Sequence, residues 1–365
     1  MRIELTEQSG LEVNHLSAAD MTPALAAQYL AGTIRLRGFW ETLRGLYPAG
    51  DLRDQVVRAV AQPGDDPKSV ARRVRNWEQG RNAPADREDL FRIAFALGLD
   101  EVQTSALLGL CTDYGIHYRN GRELTYAYCL RKGTTYQQAA DLYRSLPDPE
   151  RSRGTGRPGM EGTRQLVSIF ADVRDDGEFS RLYESYLDSF GTLHQRAWDY
   201  FERYFQALLS PGEGEERYSI QRAVETYLTL HMPSGSRRQN FTLVQRMLKQ
   251  GWPNATKLKN ICARKEDVPR KLLLLLYLVT ENVVDISYDE LDEDYLSPEE
   301  LFEEHWWRVN LMLQDCGMPT LDPRNAYDWL VLYSLNSALR QDEAMGERME
   351  AVLAVLFPGG EGENA

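Results

Sequence analysis

The stretch PKSVARRVRNWEQGRNAPADREDLFRIAFALGL, residues 67–99, joins an arginine-rich segment to a glycine-broken turn and a second, apolar segment. Val70, Val74 and Trp77 recur at helical spacing, which predicts that one face of the first segment lies against a core. The opposite face is polar and mostly basic, and it carries Lys68, Arg72, Arg75, Asn76 and Gln79. The pattern is that of an amphipathic helix with a basic outer face.

The end of this helix and the start of the next have their own signals. Gly80 favours the left-handed backbone that ends a helix, and Pro84 keeps the first helix from resuming. Asp86 is a predicted N-cap for the second helix, which stops at Gly98. The sequence therefore predicts a helix, a turn and a helix over this stretch.

At these residues the segment resembles the Cro-like, or Xre-type, helix-turn-helix family. The resemblance rests on WEQG at residues 77–80, Pro84 and ALG at residues 96–98, and it extends over about residues 50–100. The preceding helix departs from the family's Gln-x-x-Leu-Ala pattern, because residues 52–61 read LRDQVVRAVA. The resemblance implies a transcriptional regulator that binds double-stranded DNA as a homodimer on two-fold operators.

The first helix has side chains suited to duplex DNA. Phosphates attract Arg and Lys, and a helix in the major groove can present Arg to guanine and Asn to adenine. Residues 67–82 contain five basic side chains and one acid. The predicted DNA-binding residues are Lys68, Ser69, Arg72, Arg73, Arg75, Asn76 and Arg81.

Two other interpretations of this segment stay open. An exposed helix with several arginines is often only a solvated face, and Asp65, Asp66 and Glu78 are near enough in sequence to pair with it. In the second interpretation the helix-turn-helix is only a packing unit, and the chain is a helical interaction or adaptor protein. Its aromatic and acidic C-terminal part would then recognise another protein.

A weak internal repeat points to a second basic segment. The stretch from Asn76 to Ala96 and the stretch from Asn260 to Leu278 share an Asn, an apolar residue, a basic residue, a short break and a long apolar helix. The candidate residues of this second basic surface are Lys257, Lys259, Arg264 and Lys265. Two such units could each grip a DNA backbone, although two short helices in an all-α protein can look alike by chance.

Negative charge is concentrated late in the chain. The net charge is -13, and residues 285–304 hold ten acids with no Lys or Arg. Such a block is most simply a solvated face. As an alternative, it docks on one of the basic segments as an intramolecular brake, or repels DNA so that only a correctly oriented dimer binds.

Helical periodicity runs through almost the whole chain, so the predicted fold class is all-α, with a helix-turn-helix-like domain followed by a larger multi-helix domain. The predicted divisions are a tail at 1–22, a helical domain at 23–146, a linker at 147–163, a C-terminal helical domain at 164–357 and a tail at 358–365. The C-terminal domain is expected to dimerise, or to bind a protein or small-molecule effector.

Several function classes lack their signatures. HExxH, Walker, GxGxxG and GxSxG motifs are absent, which predicts a non-enzyme without catalytic residues, and the histidines have no metal-ligand spacing. No cofactor and no metal are therefore expected. The four cysteines have no CxxC spacing and are interpreted as buried free thiols. The longest apolar run, residues 272–279, is too short for a bilayer, so a cytoplasmic protein that does not contact membranes is expected.

Overall fold

The structure is a computed structural model that describes residues 7–16, 21–112, 114–147, 163–191, 194–211, 216–233, 241–280, 297–336 and 343–358. Every regular element in these ranges is helical, and the predicted all-α class is confirmed. The helices are α1 Glu7–Leu16, α2 Pro23–Gly32, α3 Phe39–Leu46, α4 Leu52–Val60, α5 Pro67–Glu78, α6 Arg87–Leu97, α7 Glu101–Cys111, α8 Gly121–Lys132, α9 Tyr136–Ser145, α10 Thr163–Ala171, α11 Asp176–Ser185, α12 Gln195–Leu209, α13 Ile220–Ala223, α14 Leu243–Lys249, α15 Ala255–Cys262, α16 Arg270–Thr280, α17 Pro298–Asp315, α18 Ala326–Leu335 and α19 Met345–Leu356.

The chain forms two compact units. Unit I contains the described residues of Gly38–His194 and Gly317–Pro319. Unit II contains the described residues of Met1–Arg37, Gln195–Cys316 and Thr320–Ala365. Across the described ranges, none of the helices combines the length and the apolar character that crossing a bilayer requires.

Unit I is built around the predicted pair of helices. α4 packs on α5 and α6, while α3 packs on α5 and α7. α8 and α9 pack together, and α9 also contacts α6. α11 joins this core through Phe179, whose ring stacks on Tyr128 of α8 with centroids 4.4 Å apart.

Unit II is centred on α16, whose residues from Leu272 to Leu278 are all buried. α16 packs on α12, α17, α18 and α19, and α14 packs on α18. α2 joins this core through contacts with α19 and through Tyr29, which stacks on Trp329 with centroids 5.3 Å apart.

These units correct the predicted division of the chain. The tail predicted at 1–22 contains the helix α1, whose Leu16 is buried, and α1 and α2 belong to unit II. α10 and α11, predicted to begin the C-terminal domain, belong to unit I. The composition of the predicted linker does not determine which core the next apolar helix face joins. Residues 148–162 of that linker lie outside the described residues.

The cysteine prediction is partly corrected. All four cysteines are free thiols, as expected. Cys129 and Cys316 are buried and Cys111 is partly buried, but Cys262 is exposed because it ends α15 on the side away from the core.

An arginine clamp ties α6 to α8 in unit I. Arg87 is the first residue of α6, and its Nε lies 2.7 Å from Oε1 of Glu123 while its Nη2 lies 2.6 Å from Oε2. Nη2 also donates to the carbonyl of Gly115 at 2.6 Å, and the carboxylate accepts the backbone N–H of His117 at 2.7 Å. Glu123 is the third residue of α8, which is capped by Asn120.

Unit II contains the same clamp. Arg270 is the first residue of α16, and its Nη1 and Nη2 lie 2.6 Å and 2.8 Å from the two carboxylate oxygens of Asp328. Nη2 also donates to the carbonyl of Thr320 at 3.2 Å, and the carboxylate accepts the backbone N–H of Asp322 at 2.9 Å. Asp328 is the third residue of α18, which is capped by Asn325.

A backbone hydrogen bond just before α8 in unit I has an equivalent just before α18 in unit II. The backbone N–H of Ile116 donates to the Ser105 hydroxyl at 3.2 Å, and that of Leu321 donates to the Asn310 side-chain oxygen at 2.8 Å. These residues, and the clamp residues other than the two arginines, are all separated from their equivalents by the same number of positions. The agreement indicates that unit I and unit II are two copies of one structural repeat.

Each unit also contains a pair of helices that lies in the sequence before the core of the other unit. In unit I the N–H of Gly191, after α11, donates to the carbonyl of Arg119 at 2.8 Å. In unit II the N–H of Arg37, after α2, donates to the carbonyl of Arg324, the equivalent of Arg119, also at 2.8 Å. Thus α1 and α2 precede the core of unit I but complete unit II, while α10 and α11 precede the core of unit II but complete unit I.

Glu123→Gln should lower the free energy of unfolding by about 3 kcal/mol, because it leaves the Arg87 guanidinium partly buried without its charged partner. Urea unfolding measures the change. The matched control is Asp141→Asn, which breaks the exposed ion pair with Arg144 and should cost less than about 1 kcal/mol. Equal effects of the two substitutions would contradict the role of the clamp.

A buried histidine makes unit II sensitive to acid. His305 lies 2.8 Å from the Tyr277 hydroxyl through its Nδ1, and burial, with Arg308 and Arg348 nearby, lowers its pKa to about 4. Below the ordinary histidine pKa the His305 ring is protonated in the unfolded chain but stays neutral in the folded chain, so stability falls as the pH falls. Between pH 7 and pH 4 this group should remove about 3 kcal/mol from the free energy of unfolding.

His305→Asn keeps a polar partner for the Tyr277 hydroxyl and removes the titrating ring. Chemical unfolding at both pH values should show a smaller loss of stability on acidification for this variant than for the parent. Parallel losses in the two proteins would mean that His305 does not contribute.

Candidate nucleic-acid interface

The N-terminus of α5 is fixed by local polar contacts. The carboxylate of Asp66 accepts the backbone N–H groups of Lys68 and Ser69 at 3.3 and 3.0 Å, and Pro67 occupies the first turn. The Ser69 hydroxyl donates to the same carboxylate at 2.9 Å. That hydroxyl and the two N–H groups lower the pKa of Asp66, so the cap keeps its negative charge at the start of a basic helix.

The inner face of α5 is the predicted one. Val70, Val74 and Trp77 are buried, and Trp77 is only 4% exposed. The Trp77 ring meets Phe39 of α3 edge to face, with centroids 6.0 Å apart. The rotation of α5 about its axis is therefore fixed by its apolar residues, as the helical spacing predicted.

The outer face of α5 carries three cations that no described residue pairs with. Lys68, Arg72 and Arg75 are exposed, and none of their charged groups makes a hydrogen bond or ion pair with the described residues. Arg72 lies close enough to Asp66 to contribute to lowering its pKa. Arg53 pairs with Glu78 at 3.5 Å, so the acid at the end of α5 is engaged with α4 instead of with this face.

Arg73, one of the predicted DNA-binding residues, makes contacts within unit I. Its Nη2 donates to the carbonyl of Val60 at 3.0 Å, and its Nη1 lies 3.4 Å from a carboxylate oxygen of Asp89. Its guanidinium carbon lies 5.4 Å from the centre of the Trp77 ring. Burial raises the pKa of Asp89, while Arg73 and Arg92 oppose that shift. Arg73 thus joins α5 to the end of α4 and to α6.

The remaining predicted residues lie at the two ends of α5. Ser69 is exposed, but its hydroxyl is used by Asp66. Asn76 is half-buried, and its side-chain oxygen accepts from Nη1 of the exposed Arg81 at 3.4 Å. Gly80 has the left-handed φ of 65° that its position after the helix requires, and the Arg81 N–H closes the turn on the Asn76 carbonyl at 3.0 Å.

The second predicted basic surface lies on and after α15 in unit II. Lys259 and Lys265 are exposed, while Lys257 is half-buried. Arg264 is exposed but packs over Trp198, with its guanidinium carbon 3.8 Å from the ring centre. Its contact with Trp198 leaves Lys259 and Lys265 as the more available cations.

The acidic block can be placed only in part. Its residues 285–296, and with them the predicted docking on a basic segment, lie outside the described residues. The described portion begins at Ser297, which forms a capping box with Glu300: the Ser297 N–H donates to the carboxylate at 2.9 Å and the Glu300 N–H to the hydroxyl at 3.3 Å.

No family model matches the chain, and neither a curated protein nor a solved structure matches it significantly. The function is therefore inferred from the side chains of α5 and from their surroundings.

Trp77→Ala should lower the free energy of unfolding by about 3 to 5 kcal/mol, because it leaves a cavity between α3 and α5. Thermal or urea unfolding measures the loss. Gln79→Ala, on the exposed side two residues further, should change stability by less than about 0.5 kcal/mol. If the tryptophan variant were as stable as the parent, the rotation of α5 given above would be wrong.

Proposed function

We propose that unit I binds double-stranded DNA, with α4 and α5 acting as a helix-turn-helix and α5 entering the major groove. The observation that carries the proposal is the outer face of α5. Three cations project from a helix whose rotation is fixed by Val70, Val74 and Trp77, and none of the three is held by another described side chain.

The spacing of these cations suits a groove-binding helix. Lys68, Arg72 and Arg75 are four and three residues apart, so they follow one side of α5 at intervals of about one turn, each about 5 Å. A major groove about 12 Å wide admits such a helix. Arg72 and Arg75 are assigned to base edges or phosphates, Lys68 to a phosphate, and Asn76 to adenine if it leaves Arg81 on binding.

Charge elsewhere in the chain sets the conditions for binding. The net charge of -13 repels DNA at long range, but at 0.15 M salt this repulsion is screened beyond about 8 Å. Asp66 lies at the start of α5 and keeps its charge, so it weakens the attraction of that end for phosphates. The middle and the C-terminal end of α5 therefore supply most of the phosphate affinity.

The proposal for the biological role of the whole chain follows the family resemblance. It comprises transcriptional regulation in the cytoplasm, a homodimer, and a protein or small-molecule effector at the C-terminal region. The rival, a helical interaction protein in which α4 and α5 only pack, differs in one measurable respect. It requires that the chain bind no duplex DNA even at low salt.

Arg72→Ala together with Arg75→Ala should abolish detectable binding to mixed-sequence duplex DNA, because it removes two exposed cations and leaves the core unchanged. Fluorescence anisotropy titrations at several salt concentrations measure both the affinity and its salt dependence. Any residual binding should show a salt slope smaller by about 0.9 for each phosphate that the variant no longer neutralises.

The control replaces two exposed arginines of the same unit, Arg144 and Arg181, by alanine. This variant has the same net charge as the α5 variant and should bind DNA like the parent. Equal binding by all three proteins would remove α5 from the interface, and no binding by the parent at low salt would favour the interaction protein.

A further inference from the structure

The end of α15 repeats the end of α5. The residue after α5, Gln79, has φ -83° and ψ 3°, and the residue after α15, Ala263, has φ -82° and ψ 5°. The next residue is left-handed in both, with φ 65° at Gly80 and 53° at Arg264. Arg264 adopts this conformation although it has a side chain, so the turn of unit II is kept without the glycine that favours it.

The hydrogen bonds of the two turns also correspond. In unit I the Gly80 N–H donates to Trp77 at 3.1 Å and the Arg81 N–H to Asn76 at 3.0 Å. In unit II the Arg264 N–H donates to Ile261 at 2.8 Å and the Lys265 N–H to Asn260 at 2.9 Å. Trp77 and Ile261 are buried at the same place in the two helices.

This alignment pairs basic and polar residues with one another. Four pairs occupy matching positions: Arg73 with Lys257, Arg75 with Lys259, Asn76 with Asn260, and Arg81 with Lys265. Arg75, Arg81 and their two equivalents are all exposed. The charged groups of Lys259 and Lys265 make no hydrogen bond or ion pair with the described residues.

Other helices end in the same turn without these cations. The turn after α6 joins the Leu99 N–H to Ala94, and the turn after α8 joins the Thr134 N–H to Cys129. The positions equivalent to Arg75 and Arg81 are Ile93 and Leu99 after α6, and Tyr128 and Thr134 after α8. The basic pair is thus a property of α5 and α15, not of helix ends in general.

The helices around α15 extend the match. α16 follows α15 and begins at the clamp residue Arg270, as α6 follows α5 and begins at Arg87.

From this correspondence we infer that α15 is a second DNA-contacting helix, with Lys259 and Lys265 in the places of Arg75 and Arg81. The inference rests on the proposed function of α5, because its ligand is the same duplex. One chain then carries two DNA-contacting helices, which a homodimeric regulator obtains from two copies.

The test compares three double variants of the full chain: Lys259→Ala with Lys265→Ala, Arg75→Ala with Arg81→Ala, and, as a charge-matched control, Arg203→Ala with Arg217→Ala on the surface of unit II. The probe is a mixed-sequence duplex several helical turns long, titrated by fluorescence anisotropy at several salt concentrations. Circular dichroism and thermal unfolding establish that each variant is folded.

The α15 variant should raise the Kd at least ten-fold and reduce the salt slope by about 2, because the variant leaves two phosphates without their cations. The α5 variant should have a similar effect, and the control should bind like the parent. An α15 variant that binds like the parent, beside an α5 variant that does not, overturns the inference and leaves the proposed function intact.

Two other outcomes would also distinguish the role of α15 from that of α5. Loss of binding in the α15 variant alone supports a DNA-contacting α15 and contradicts the role of α5. A parent protein that binds no duplex at low salt overturns both proposals.

Discussion

Each unit contains a partly buried arginine–carboxylate clamp. The clamp determines where the helix that follows the basic helix begins: α6 after α5, and α16 after α15. Burying a charged group lowers the stability of the fold unless the hydrogen bonds of that group are satisfied. Removing one partner of a buried ion pair leaves the other charge unpaired. In unit I Arg87 therefore has one favourable position, against Glu123 and the carbonyls of the preceding loop. The clamp thus fixes the start of α6, and α6 packs on α4, which in turn packs on the basic helix α5.

The same clamp explains why the repeat is faint in the sequence and plain in the structure. Glu123 is replaced by Asp328, and Ser105 by Asn310, so the letters differ while the oxygen acceptors remain. Apolar positions tolerate wide exchange if volume and pattern are kept. Hydrogen-bonding geometry is therefore a better record of duplication here than residue identity.

Much of the local structure was predictable because it depends on neighbours in the sequence. The spacing of Val70, Val74 and Trp77 predicted the rotation of α5, and Asp86 and Gly98 marked the start and the end of α6. The role of Arg73 was not predictable, because the Val60 carbonyl and Asp89 that hold it lie on other helices. The exchange of α1 and α2 with α10 and α11 was hidden for a related reason: an apolar helix face does not specify which of two similar cores it joins.

The most direct test of DNA binding by α5 is photocrosslinking from its exposed end. A photoreactive amino acid replaces Gln79, or in the control protein Arg181 on α11, which is also exposed. If α5 lies in the groove, position 79 should crosslink to labelled duplex DNA, unlabelled duplex should abolish that crosslink, and position 181 should give none. No crosslink from position 79, or equal crosslinking from both positions, would contradict DNA binding by α5.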